Sequence, residues 1–175
     1  LSGKKVALFG SYDWGDGEYT CFLNGNENAC TPEMFVRYAQ IAALMPVMQF
    51  SASPWRVLPE ADFQKVKDAL ALREKCLPEI LKAVECAKVT GEPIVRSMEF
   101  VFPGQGMERV MDQFMVGEDL MVAPVWKQGE VARSVRLPEG QWRCVGLGET
   151  EGDVLNGGRD VILGENEGLV VLKRV

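Results

Sequence analysis

The hydrophobic period changes once along the 175-residue chain, and this change constrains the fold more than any other feature. Up to about residue 90, apolar residues recur at helical spacing in two long segments. From Ile94 onward they fall into short runs that are separated by glycine- and proline-containing turns. The sequence therefore predicts helical architecture first and strand architecture second, with a boundary between Thr90 and Pro93.

The first helix is predicted to begin at Thr31. Its hydroxyl can cap the helix, Pro32 suits the first helical position, and Glu33 complements the positive end of the helix dipole. Apolar side chains at helical spacing predict one buried face, formed by Phe35, Tyr38, Ile41, Ala42 and Met45.

The second helical region is predicted over Glu60–Val89. Its apolar stripe comprises Phe63, Val66, Leu70, Leu72, Leu77, Ile80, Leu81, Val84 and Ala87. Pro78 falls inside this region and predicts a kink or break near Cys76–Leu77, because proline cannot donate the helical hydrogen bond. Gly91 is predicted to end the helix, with Pro93 just beyond it.

The strand region is punctuated by Pro103-Gly104, Pro138-Glu139-Gly140 and Asn156-Gly157-Gly158. Between these turns the predicted strands are Ile94–Phe102, Asp119–Val125, Ala132–Leu137, Gln141–Val145, Asp160–Leu163 and Gly168–Arg174. Several short strands with such turns predict a small antiparallel β-sandwich.

The segment between the two helices carries the side chains best suited to bind a ligand. Pro46 ends the first helix, and Val47–Phe50 is a short apolar run that predicts a buried parallel strand. Ser51–Arg56 follows its carboxyl end, where barrels of alternating strands and helices bind ligands. Trp55 offers a flat face and Arg56 a forked donor, both suited to a polyhydroxylated ligand. The alternative is that Trp55 caps a core and Arg56 pairs with a carboxylate.

The run Tyr38–Arg56, YAQIAALMPVMQFSASPWR, resembles the eighth-strand region of glycoside hydrolase family 31, the α-glucosidase and α-xylosidase family. Gly17–Glu27 is similar to the segment after the seventh strand of that family. Phe114–Val125 and Val135–Trp142 resemble two structural motifs of the sandwich that follows its barrel. The resemblance covers about residues 15–175.

The resemblance implies an α/β plus all-β fold. Residues 15–92 would form the C-terminal βα units of a TIM (β/α)8 barrel, and residues 93–175 the antiparallel β-sandwich. Arg73 would lie in the last barrel helix, and Arg96, near the exit from the barrel, is predicted to form a structural ion pair.

The implied activity is that of a retaining α-glycoside hydrolase acting on α-linked oligosaccharides or glycosides. Such an enzyme needs two carboxylates, which this family places on barrel strands four and six. Those strands would precede Leu1, so we assign no catalytic residue here and expect this chain to be inactive alone. The candidate substrate-binding residues are Asp13, Gln49, Ser51, Trp55 and Arg56.

The first eighteen residues show a second resemblance. Lys4–Gly10 predicts a buried strand, and with residues 11–18 it is similar to the flavin-loop strand of a short-chain flavodoxin. That resemblance implies contacts to FMN from Ser11, Tyr12, Trp14 and Gly15. One strand cannot form a flavin crevice, which needs neighbouring strand ends, so we predict no cofactor and keep an FMN-binding electron-transfer module as the alternative.

The two resemblances overlap at Gly15–Glu18, which predicts a chimeric junction there. A third interpretation is a non-catalytic carbohydrate-binding or scaffold fragment. The last strand of an incomplete barrel also leaves open edges, and these predict self-association.

Composition excludes several function classes. The net charge of −6 argues against a nucleic acid or an anionic membrane as partner. The sequence contains no histidine, which excludes Ser-His-Asp and Cys-His catalysis and histidine-ligated zinc. The five cysteines lack metal-site spacing and predict reduced thiols in a cytoplasmic protein. No apolar window reaches the length of a membrane span, and no metal site is predicted.

Overall fold

The computed structural model describes residues 31–50, 52–125, 127, 129–130, 132–146, 151–163 and 169–175. The predictions for residues 1–30, which include Asp13 and the flavodoxin-like strand, and for Ser51 lie outside the described residues. The helices are α1 (Pro32–Ala43), α2 (Pro54–Val57), α3 (Glu60–Thr90) and α4 (Met98–Val101). The strands are β1 (Val95–Ser97), β2 (Phe114–Val116), β3 (Leu120–Pro124), β4 (Arg133–Leu137), β5 (Gln141–Cys144), β6 (Val154–Asn156), β7 (Arg159–Leu163) and β8 (Leu169–Arg174).

The strands form two antiparallel sheets. The larger has six strands in the order β1-β2-β3-β8-β5-β6, and the smaller pairs β4 with β7. Val122 of β3 pairs with Val171 of β8 at the centre of the larger sheet. This confirms the prediction of an antiparallel sandwich over the C-terminal half.

The central strands β3 and β8 are buried on both faces, because each face of the larger sheet packs against a core of its own. In β3, Leu120 and Val122 contribute to one core, while Met121 and Ala123 contribute to the other. Residues 169–172 of β8 alternate in the same way. This alternation follows from the two-residue period of a strand, and the double burial explains why the sequence of β3 is apolar throughout.

The two cores are formed by different partners. The helix-side core joins the sheet to α3 and to the end of α1, through Ala43, Leu44, Ala69, Leu72, Cys76, Ile80, Ala83, Val116, Leu120, Val122, Leu169 and Val171. The sheet-side core joins it to β4 and α4, through Met98, Phe102, Met107, Met115, Met121, Ala123, Val135, Leu137, Trp142, Cys144, Val170 and Leu172. The larger sheet is therefore the middle of three layers.

The start of α1 confirms the predicted cap. The hydroxyl oxygen of Thr31 accepts a hydrogen bond from the backbone N–H of Met34 at 3.2 Å, and Pro32 opens the helix. The predicted buried face was wrong at Tyr38, which is 52% exposed. The packed face is formed instead by Phe35, Val36, Ala39, Gln40, Ala42 and Ala43, where small residues let α1 approach α3 closely.

Helix α3 is unbroken through Pro78, so a break at that position was wrong. Pro78 lies on the exposed side of α3, where water can bind the carbonyl that lacks a helical donor. The buried stripe runs through Val66, Ala69, Leu72, Cys76, Ile80 and Ala83, and the predicted core residues Leu70 and Leu81 are exposed. Gly91 ends the helix in the left-handed conformation, as predicted, with φ of 76°.

The strand predictions need two corrections. Ile94–Phe102 is not one strand, because β1 ends at Ser97 and α4 follows. The Ser97 hydroxyl oxygen accepts a hydrogen bond from the N–H of Phe100 at 3.3 Å and so caps this helical turn. Strands β2 and β6 were not predicted as separate elements. β2 pairs with β3 across the turn Gly117–Asp119.

Cys76 lies in the helix-side core, and burial, with a smaller effect of Glu79, raises the pKa of its thiol to about 11 from the ordinary 9.0. The folded state thus holds this proton more tightly than the unfolded state does. The stabilisation is complete below pH 9 and is lost as the pH rises through 11. We expect the free energy of unfolding to fall more steeply between pH 8 and pH 10.5 in the wild type than in Cys76→Ala. Urea unfolding at both pH values measures this, and equal slopes in the two proteins would contradict it.

Candidate functional site

The segment that was predicted to bind a ligand, residues 47–56, runs along the ends of α1 and α3. The structure assigns Val47–Phe50 to no sheet among the described residues, so the prediction of a buried strand was wrong. A parallel strand needs hydrogen-bonded neighbours, and the other strand predicted before the sandwich, Lys4–Gly10, lies outside the described residues. We call residues 47–56 the rim segment.

Burial alternates along the rim segment. Met48 and Phe50 pack against the cluster between α1 and α3, and Ala52 is buried within it. The Phe50 ring stacks on that of Phe35, with 5.8 Å between centroids and 2° between planes. Val47 lies on the other side and is 82% exposed. One face of the segment is therefore anchored, and the other is uncovered by the described residues.

Trp55 and Arg56 lie in the single turn α2, which begins at the buried residue Pro54. Pro54 takes the first helical position, and its carbonyl accepts a hydrogen bond from the N–H of Leu58 at 3.0 Å. Both Trp55 and Arg56 are exposed, the indole at 67%. Trp55 therefore does not cap a core of the described residues, which was the alternative interpretation.

Gln49 is exposed, and its backbone carbonyl accepts a hydrogen bond from the Tyr38 hydroxyl at 3.3 Å. The exposure of Tyr38, which corrects the predicted face of α1, is thus linked to the rim segment. Of the five predicted substrate-binding residues, the structure places Gln49, Trp55 and Arg56 on exposed positions of one segment. Asp13 and Ser51 lie outside the described residues.

Arg73 of α3 contacts the turn from which the rim segment starts. Its Nη1 donates to the carbonyl oxygens of Ala43 at 2.7 Å and Met45 at 2.6 Å, and its Nη2 donates to that of Pro46 at 3.2 Å. Burial lowers the pKa of the guanidinium. Sequence reasoning placed Arg73 in a helix but did not indicate this contact, because spacing alone does not show which carbonyls a long side chain reaches.

A small cavity of about 100 Å³ lies between α3 and the β2–β3 turn. Its lining residues are Glu79, Lys82, Ala83, Cys86, Arg96, Val116, Gly117, Glu118 and Asp119. Lys82 Nζ lies 2.6 Å from an oxygen of Asp119, and this hydrogen bond raises the pKa of the lysine. Arg96 Nη1 lies 3.6 Å from Glu118, and its Nη2 lies 2.9 Å from Glu92. Both cations that line this cavity are paired with carboxylates, and Arg96 forms the structural ion pairs predicted for it.

The described residues offer little else for chemistry. Across the described ranges, no group of three or more Cys, Asp or Glu side chains is arranged to hold a metal ion. Among the described residues, Cys76, Cys86 and Cys144 form no disulfide bond. None of the described helices is long and apolar enough to cross a membrane.

Comparison with known proteins gives a consistent assignment. Residues 91–161 match the family model described as the glycosyl hydrolase family 31 C-terminal domain. The chain is 38% identical over 112 residues to the myogenesis-regulating glycosidase of Mus musculus, a match covering 63% of this chain and 16% of that protein. It is 30% identical over 132 residues to an alpha-glucosidase of Saccharolobus solfataricus, covering 71% of this chain and 18% of the enzyme.

A solved structure supports the same assignment. The crystal structure of a GH31 alpha-xylosidase from a soil metagenome, complexed with xylose, superposes with a TM-score of 0.70 at 28% identity. The superposition covers 82% of this chain and 25% of that enzyme. This chain therefore spans a quarter or less of the length of the relatives named here.

The comparisons do not support the flavodoxin resemblance of residues 1–18, on which the alternative FMN contacts of Ser11, Tyr12, Trp14 and Gly15 depend. Nor do they support a chimeric junction at Gly15–Glu18. The sandwich topology, the family model and the relatives agree with one another. The comparisons therefore support a fragment of a glycosyl hydrolase family 31 protein that includes its C-terminal domain.

Proposed function

We propose that this chain is the C-terminal part of a retaining α-glycoside hydrolase that acts on α-linked oligosaccharides or glycosides. The observation that carries the proposal is the match to family 31, in which the relatives include an alpha-glucosidase and an alpha-xylosidase. The exposed Trp55 and Arg56 on the rim segment support it. An indole face and a guanidinium fork bind sugar rings and hydroxyl groups respectively.

In this proposal α1, the rim segment and α3 are the last units of a TIM barrel. The order of the elements supports this, since a helix, a short apolar run and a second helix follow one another as in βα units. The uncovered face with Val47 and Gln49 would then face the barrel interior. The sugar would lie beside Gln49, Ser51, Trp55 and Arg56, with Asp13 on the neighbouring loop.

Hydrolysis with retention requires a carboxylate nucleophile and a carboxylic acid about 5–5.5 Å apart. We assign neither to this chain. The two catalytic aspartates of the family would lie on strands four and six of the barrel, outside these 175 residues. The chain alone should then position substrate and cleave nothing.

The test compares two proteins: the complete polypeptide whose reading frame encodes these residues, and the 175-residue chain by itself. We expect the complete polypeptide to release 4-nitrophenol from an aryl α-glucoside or α-xyloside, with the α-anomer as the first sugar product by NMR. We expect no turnover by the chain alone. Turnover by the isolated chain, or inertness of the complete polypeptide towards both glycosides, would overturn the proposal.

Maltose separates this function from a purely sugar-binding one. If maltose raises the melting temperature of the complete polypeptide, and neither maltose nor the two aryl glycosides are cleaved, the protein is a non-catalytic carbohydrate-binding module. If it is cleaved to glucose, the hydrolase assignment holds.

The uncovered face of the rim segment leads us to propose self-association of the isolated chain. The exposed apolar side chain of Val47 favours contact with a second copy. We expect light scattering to give a mass above 19.4 kDa at high concentration and a lower mass for Val47→Lys. A monomer at every concentration would contradict this.

A further inference from the structure

We propose that Arg73 is the positioning residue of the rim segment: it fixes the start of this segment against α3, and so sets where Gln49, Trp55 and Arg56 stand. The inference concerns the sugar-binding role of the rim segment and in that respect rests on the proposed function. The contacts of Arg73 can be tested without it.

The turn after α1 has few donors of its own. The last carbonyls of a helix lack intrahelical partners, and Pro46 contributes no N–H to the turn. The N–H of Met45 donates to the Ala42 carbonyl at 3.0 Å, and that of Leu44 donates to the Ile41 carbonyl at 3.2 Å. The carbonyls of Ala43, Met45 and Pro46 are the ones that Arg73 binds.

One guanidinium thus binds three carbonyl oxygens within four consecutive residues, 43–46. Its planar fork restricts the direction of every bond, so the turn is held in one orientation. The positive charge also lies at the carboxyl end of α1, where the helix dipole is negative. A charge-assisted bond of this kind is stronger than one between neutral groups.

The part of α3 that carries Arg73 is held by the helix-side core. Leu72, next to Arg73, and Cys76, one turn further on, are buried in this core beside Val122 and Val171 of the central strands. The Arg73 side chain therefore links the rim segment to the larger sheet through α3. Further along the rim segment, the stacking of Phe50 on Phe35 provides a separate anchor.

The apolar contacts of α1 and α3 do not depend on Arg73. Its removal should therefore destabilise the start of the rim segment more than it destabilises the overall fold. Arg73→Met keeps the aliphatic stem and removes all three donors. Arg73→Lys keeps a charge and donors but loses the fork. Lys82→Met is the matched control, because Lys82 lies on the same helix and pairs with Asp119 at its exposed surface.

The experiment measures hydrogen–deuterium exchange by peptide in the 175-residue chain. In Arg73→Met we expect amide exchange over residues 44–58 to rise on the order of tenfold, with β3 and β8 unchanged. Arg73→Lys should show a smaller rise, and Lys82→Met should match the wild type. Unchanged exchange at residues 44–58 in Arg73→Met would overturn the inference, as would an equal rise in β3 and β8.

A second arm repeats the exchange with maltose. For a positioned sugar site, we expect maltose to slow amide exchange over residues 47–58 in the wild type. We expect this slowing to be weaker in Arg73→Met than in Lys82→Met. If maltose leaves the wild type unchanged, maltose binding by this chain is refuted. The positioning of the segment by Arg73 is then still decided by the first arm.

Discussion

Gly157→Ala is expected to lower the free energy of unfolding by about 3 kcal/mol or more, because the new methyl group would collide with the backbone. A Cβ built on Gly157 would lie 1.8 Å from the carbonyl oxygen of Pro138 and 3.1 Å from that of Gly140. The backbone there is also hydrogen-bonded, since the N–H of Gly157 donates to the Gly140 carbonyl at 2.7 Å. Relief of the collision therefore has to break a hydrogen bond between the β4–β5 turn and the β6–β7 turn.

Gly104→Ala is the matched control for this prediction. Gly104 has φ of 75°, so alanine there is strained, but its added Cβ would meet no atom within 4 Å. That strain costs roughly 1 kcal/mol. Urea unfolding of both variants separates the collision from the conformational cost. Equal losses in the two proteins would show that the close approach at Gly157 is relieved by a small backbone shift.

Trp142→Ala is expected to lower the free energy of unfolding by about 3–5 kcal/mol, the range for removing a large buried aromatic side chain. The indole is fully buried in the sheet-side core and packs edge-on against Phe102, with 5.7 Å between ring centroids. Its Nε1 donates to the Pro138 carbonyl at 3.0 Å. The substitution leaves a cavity between the larger sheet and α4.

Trp142→Phe separates packing from the hydrogen bond. It keeps most of the apolar volume and removes the indole donor, so we expect a loss of about 1–2 kcal/mol. Met111→Ala is the surface control, since Met111 is 89% exposed and such changes stay within about 0.5 kcal/mol. Chemical denaturation should show the largest loss of unfolding free energy for Trp142→Ala, a smaller loss for Trp142→Phe and the smallest for Met111→Ala. A phenylalanine variant as unstable as the alanine variant would show that the Pro138 contact outweighs the packing.

The contacts of Gly157 and Trp142 explain the motif Val135–Trp142, for which the family resemblance implies only a structural role. In Val135–Trp142 the proline carbonyl accepts from the indole and also from the N–H of Gly158 at 3.2 Å. The same oxygen is the atom closest to the position of a Cβ on Gly157. Proline, tryptophan and the paired glycines are therefore parts of one arrangement around a single oxygen.

Local signals in the sequence predicted the ends of the helices well. The Thr31 cap and the left-handed Gly91 depend on a few neighbouring atoms, and both were confirmed. The buried faces were less predictable, because they depend on what packs against them. Ala69 and Ala83 are core residues of α3 since the sheet approaches closely there, and the Ala83 Cβ would lie 3.1 Å from a Cβ on Gly117. A scale that ranks residues by apolar size favours Leu70 and Leu81, which are exposed.

The candidate site was predictable only as a segment. The pattern around Pro46 indicated that the first helix ends there, and three of the predicted substrate-binding residues, Gln49, Trp55 and Arg56, are exposed in the segment that follows. What holds this loop is a side chain 27 residues or more away along the sequence, Arg73. Neither periodicity nor spacing encodes such a contact, because it depends on how α1 and α3 cross. The strand assignment of Val47–Phe50 failed for the same reason, since a strand is defined by its partners.

The position of β8 has a consequence for the order in which the chain can fold during synthesis. β8 lies between β3 and β5 and hydrogen-bonds to both. The hairpin of β2 and β3 and the pair of β5 and β6 can each form as soon as their residues leave the ribosome. They remain two separate pieces, with apolar faces open to solvent, until residues 169–174 emerge and join them. Chaperones and proteases that act on the nascent chain would therefore meet an unjoined sheet until β8 has been synthesised.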